Sequence, residues 1–214
     1  MTNFFLSLVL VNALHLTIIA LAAVIFGCRV VQLSCGFGPA IVKTKMVVIR
    51  AVPFMGSVKL QGDDNEQDID LDPEKSFKTK PTWIRVCIAL SACLTIGLVS
   101  LSASEGVTHN DIVSAFISPF IVALFPTGEG YQLLLQFKAF LAVSEFSQVL
   151  GFTALYMAAF NLLPIPLLNG GAAIMELLPL SDKSIVILNS IGLVSLFLFV
   201  AGWGYALINA VLTN

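Results

Sequence analysis

The sequence predicts a mostly α-helical, multi-pass membrane protein with about four transmembrane helices and a membrane-associated β-hairpin after the first. Three observations lead there. The chain of 214 residues is 57% hydrophobic, 11% charged and has a mean hydropathy of +0.94, too apolar for a soluble domain. Its apolar residues gather in long runs rather than being scattered along the chain. One of those runs is interrupted at residues 161–171, N-L-L-P-I-P-L-L-N-G-G, and then resumes. The length suits one membrane domain, 1–214. A net charge of −2 argues against a nucleic-acid partner.

The interruption is where a site is expected. Two prolines two apart cannot lie inside a continuous helix, because each lacks an N–H and clashes with the preceding turn. The two glycines that follow permit backbone shapes other residues avoid. Broken backbone at membrane depth is tolerated only where protein or a cavity surrounds it.

In chain order, residues 4–27 hold no charge and make a helix ~36 Å long, enough to cross a bilayer. The absence of a basic leading region and of an A-x-A cleavage pattern makes it a retained span rather than a signal peptide. His15, near its middle, needs a polar partner or a cavity. Residues 29–60 are β-prone, and Gly36-Phe37-Gly38-Pro39 reads as the turn of a hairpin. Pro53 and Gly56 break the second arm, leaving 57–60 as a short extra strand. Arg29, Lys43, Lys45, Arg50 and Lys59 place this apolar stretch at the lipid headgroups, partly inserted.

Residues 61–82 form an acidic loop whose spacing lacks the EF-hand glycine and terminal glutamate, so it reads as a solvated loop. Residues 83–104 are the second span, anchored by Trp83 and Arg85. Within the 105–145 stretch, 112–125 is short, contains Pro119 and reads as interfacial or re-entrant, and 131–143 reads as a surface helix. The third span covers 146–163 and runs into the broken motif, and the fourth covers 185–211. Cys28, Cys35, Cys87 and Cys93 lack zinc-finger spacing. Cys87 and Cys93 read as small buried hydrophobes. All but Lys138 and Lys183 of the eleven Lys and Arg residues lie between Arg29 and Arg85. The positive-inside rule then puts residues 29–82 in the cytoplasm and both termini outside.

These pieces, in this order, resemble the site-2 protease family of intramembrane zinc metalloproteases. Residues 161–171 resemble its N-x-x-P-x-P-x-L-D-G-G motif. Residues 34–39, S-C-G-F-G-P, resemble its S-I-G-F-G-P turn, and 53–59, P-F-M-G-S-V-K, resemble its P-L-G-G-Y-V-K strand. The resemblance implies a family membrane domain with a membrane-associated hairpin. The PDZ domain of some members does not fit into the short gap between spans two and three.

The resemblance also locates departures. Counting back from Gly27, the H-E-x-x-H motif falls on His15-Leu16-Thr17-Ile18-Ile19. Leu16 then stands at the general base, Ile19 at the second histidine, and Asn169 at the aspartate ligand. The G-P-x-x-N of the next helix reads Ala92-Cys93-Leu94-Thr95-Ile96. Catalytic zinc needs about three protein ligands and an open position for water. Leu16 cannot take a proton and Ile19 cannot ligate. The reading is a pseudoprotease with no metal, no cofactor and no catalytic residue, bound to a membrane protein or transmembrane peptide as part of a complex. Met55, Gly56, Val58, Asn161, Pro164 and Pro166 are the candidate docking residues. The alternatives are an active zinc metalloprotease that uses His15, His109 or acidic residues in an unrecognised ligand set, and a transporter-like or lipid-binding role.

Overall fold

The computed structural model describes residues 2–62, 72–103 and 109–212. Most of the acidic loop lies outside them, as does the start of the 105–145 stretch. Helix α1, Thr2–Ile25, is mostly apolar and holds no Asp, Glu, Lys or Arg. It stops at Gly27, which takes φ 71°. The Gly27 N–H reaches the Val24 carbonyl at 2.9 Å and the Cys28 N–H reaches the Ala23 carbonyl at 2.8 Å, the paired closure of a Schellman motif. Cys28 and Ala23 then pack in one cluster with Leu60 and Ile88.

Two strands follow, β1 (Val30–Lys43) and β2 (Val47–Leu60), paired antiparallel. The turn between them is at residues 44–46, where Thr44 Oγ1 donates to the Val47 carbonyl and accepts from its N–H. It is not at Gly36–Pro39, as the sequence suggested. Those residues lie inside β1 and bend it, Gly36 and Gly38 having φ 89° and 88°. A glycine pair with positive φ looks like a turn in sequence, but here the chain bends without reversing. Residues 57–60 are likewise the continuation of β2 and not a separate strand.

The bends let each half of a strand pair separately. Leu33, Ser34 and Cys35 pair with Val58, Ser57 and Gly56 on one side and with Val47, Val48 and Ile49 on the other. In this register Gly56–Leu60 pairs on one side only, so it is an edge of the sheet. A single 3-10 turn, Pro73–Lys75, leads back beneath the sheet. There the Arg29 N–H donates to the Lys75 carbonyl and the Phe77 N–H to that of Gln61. The Glu74 backbone N–H, helped by Lys75, holds the Asp72 carboxyl below the usual carboxylate range.

The remaining elements are helical: α2 (Thr82–Ala103), α3 (His109–Leu124), α4 (Glu129–Val143), α5 (Phe146–Asn161), α6 (Asn169–Leu177) and α7 (Asp182–Leu212). Helix α5 starts at a capping box between Glu145 and Gln148. It is the central helix, packed against α1, α2 and α3. Its buried face carries Gly151, Ala154, Ala158 and Ala159, small residues that let neighbouring backbones come close. Ser100 of α2 donates to the Gly151 carbonyl at 2.8 Å across that contact.

Three helices, α1, α2 and α7, are long and apolar enough to span a bilayer. The expected third span is shorter than the sequence indicated. Helix α5 has 16 residues and ends at Asn161, ~24 Å of helix, because the proline motif begins at once. The stretch read as a surface helix is α4, and it is not free. Its Leu134 is buried with Val122 of α3 and Ala206 of α7.

Candidate functional site

The broken motif builds the site. After α5 ends, residues 162–168 reverse the chain, and Leu167 takes φ 80°. The reversal is so close that a Cβ on Gly170 would lie 2.1 Å from the Leu162 carbonyl oxygen, and one on Gly171 2.1 Å from that of Ile165. Gly192 of α7 also packs closely against this turn, where a Cβ would lie 2.6 Å from the Pro166 carbonyl oxygen. Any side chain at these glycines would push the turn apart. This compact reversal places Asn169 as the first residue of α6, facing α1 and α2.

Asn169 links three elements. Its Nδ2 donates to the Ala89 carbonyl of α2 at 2.7 Å. Its Oδ1 therefore faces α1, 3.3 Å from His15 Nε2. An amide oxygen only accepts, so the imidazole proton is on Nε2. His15 Nδ1 is buried and has no hydrogen-bond partner among the described residues.

The rest of the α1 face is apolar or bound to the sheet. Leu16 is 3% exposed, and a Cβ on Gly56 would come within 2.6 Å of its Cδ1. Its methyls therefore touch the backbone of β2. Ile19 packs in the cluster of Ala23, Cys28, Leu60 and Ile88. One turn before His15, Asn12 donates through Nδ2 to the Met55 carbonyl at 2.8 Å and to Cys35 Sγ at 3.4 Å. Met55 has φ 64°, a left-handed conformation that costs a non-glycine residue on the order of 1–3 kcal/mol. The resembling family motif has glycine at this position.

A divalent metal fits this donor set poorly. Two ligands on one tetrahedral ion lie roughly 3.4 Å apart, and His15 Nε2 and Asn169 Oδ1 have about that spacing. Asn169 offers only a neutral amide oxygen, however, and the neighbouring positions are the aliphatic Leu16 and Ile19. Among the described residues no three His, Cys, Asp or Glu side chains converge.

Residues 3–199 match the description "Peptidase family M50". The chain belongs to that family, the site-2 proteases. A Chlamydia trachomatis serovar D protein described as a "putative zinc metalloprotease" is 36% identical over 93 residues. That match covers 38% of this chain and 15% of the relative's length.

The other expected site residues fall as follows. Met55 and Gly56 lie beside α1. Val58 packs against the Leu60 cluster. Asn161 Nδ2 donates to the Met157 carbonyl of its own helix at 2.9 Å. Pro164 is exposed, whereas Pro166 is set against Gly192. His109 opens α3.

Sequence reasoning missed Asn12, although a lone amide one turn before His15 in a charge-free run was a usable signal. It also missed the Arg85–Glu176 ion pair, which ties α2 to α6 at 2.5 Å. Arg85 reads as an interfacial anchor in the sequence, and nothing there pairs it with Glu176.

Proposed function

We propose that this M50 member is non-catalytic and binds a transmembrane or extended peptide partner as a subunit or regulator of a membrane complex. The observation that carries this reading is the closed His15–Asn169–Ala89 link, flanked by Leu16 packed on Gly56. A hydrolytic zinc site needs a proton acceptor beside an activated water. Here an aliphatic side chain fills that place and the metal-facing nitrogen is occupied by a neutral amide. The expected result is less than one equivalent of zinc per chain in protein purified under metal-replete conditions. One equivalent, lost on chelation together with a peptidase activity, would overturn the reading.

The active-enzyme alternative draws on the family and on the 3.3 Å spacing of His15 and Asn169. The triple substitution Leu16→Glu, Ile19→His and Asn169→Asp bears on both readings. If only the ligands have been lost from an intact frame, it should bind zinc where the parent does not.

Partner docking is assigned to the Gly56–Leu60 edge and the turn at 162–168. A sheet edge offers free N–H and C=O groups to an added strand. Asn161→Leu and Met55→Pro, each assayed by co-purification in detergent, should lose native partners. Retention of every partner by both folded variants would move the interface to the lipid-facing helices. Four spans are proposed, with residues 29–82 cytoplasmic and both termini outside. Cysteines introduced near either end and at Thr127 should then label from outside, and cysteines at Asp64 and Lys183 should not.

A further inference from the structure

We infer that Asn12 and Met55 form a strained latch that closes the sheet edge and opens when an extended backbone displaces the Asn12 amide. Three observations converge on these residues. Met55 carries a side chain at φ 64°, where glycine belongs, so its backbone gains by leaving this state. Asn12, 2% exposed, holds it there through the 2.8 Å bond to the Met55 carbonyl. Directly after it, Gly56 seats Leu16, which anchors the strand against α1 one turn further along.

The latch occupies what docking requires. Met55 directly precedes the edge half of β2, Gly56–Leu60, so its carbonyl is an acceptor at the start of that edge. While Asn12 donates to it, one of its two lone pairs is occupied and the strand is tied to α1. A partner backbone N–H can take the place of the Asn12 Nδ2–H on the Met55 carbonyl while Asn12 keeps its contact with Cys35 Sγ, and the exchange frees Met55 to relax toward extended φ. The strain thus biases the edge toward opening, and the Asn12 amide sets how far. This deepens the docking reading above and rests on it only for the identity of what displaces Asn12.

Cys35 is a built-in reporter. It pairs with Gly56, is half-buried and free, and receives the second Asn12 bond. The test uses the full chain in detergent, with Cys28, Cys87 and Cys93 replaced by alanine. The rate of Cys35 modification by N-ethylmaleimide is measured without any partner.

Asn12→Leu should speed labelling by roughly five- to tenfold, as expected for losing one buried hydrogen bond. Met55→Gly retains the bond and removes the strain, so it should slow labelling severalfold. This second arm also separates the latch from any direct effect of the Asn12 amide on the thiol. An unchanged rate in Asn12→Leu overturns the proposal, as does an unchanged or faster rate in Met55→Gly. Cys93, fully buried, kept as the single cysteine, reports folding. If Asn12→Leu exposes it, that variant has unfolded and the Met55→Gly result alone decides. Because no partner is present, failure here leaves the docking assay of Asn161→Leu standing, and the reverse also holds.

Discussion

The inner and outer parts of this molecule are held together differently. The inner part, α1, α2, α5, α6 and the sheet, is cross-linked by side-chain polar contacts: Asn12 to Met55, His15 through Asn169 to Ala89, Ser100 to Gly151, and Arg85 to Glu176. The outer part, α3, α4 and α7, relies more on ring contacts, such as Phe120 with Phe199, and on the Trp203 bond to the Pro119 carbonyl. Only 6% of the apolar window of α7 is buried inside the protein, against 28% for α1 and for α2. Lipid is as apolar as leucine, so apolar contact alone does little to fix one helix against another in a bilayer. Polar bonds and close backbone approach have to supply that precision, and they are concentrated where the family's chemistry would sit.

Substitutions with matched geometry sharpen this contrast. Gly171→Ala should have the largest effect. The Ile165 carbonyl leaves no room for a Cβ, and the cross-linked turn cannot retreat, so a loss above about 4 kcal/mol or failure to fold is expected, read as yield and unfolding midpoint in detergent. Asn169→Leu should follow at about 2–3 kcal/mol, because it strands the buried His15 Nε2–H. Gly202→Ala meets the Ala123 carbonyl oxygen at 2.2 Å, almost the clash of Gly171. Yet α7 can shift away from α3, so about 1–2 kcal/mol is expected. Equal losses at Gly171 and Gly202 would remove the distinction between the two parts. Leu198→Ala, on the lipid-facing side of α7, should change the midpoint by less than about 0.5 kcal/mol equivalent.

Much of the fold was legible in the sequence because it depends on local chemistry. The long apolar runs gave α1, α2 and α7. Two prolines marked the end of α5 and the restart at α6, since a missing N–H acts wherever the chain goes. Motif order identified the family and put His15 and Asn169 in one site. The hairpin turn was misplaced because positive φ at Gly36 and Gly38 bends a strand as readily as it reverses one. Only the neighbouring strand distinguishes the two.

The relations between distant residues were decided by tertiary structure. The sequence determined that Leu16, Ile19 and Asn169 carry no proton acceptor and no charge for a metal. It could not determine that Leu16 seats on Gly56, that the Ala89 carbonyl turns the Asn169 oxygen toward His15, or that Asn12 holds Met55 in a glycine-like conformation. Each of these is a contact between residues tens of positions apart, set by helix approach rather than by local preference. Composition and spacing fix what a side chain can do, and packing fixes which atom it meets.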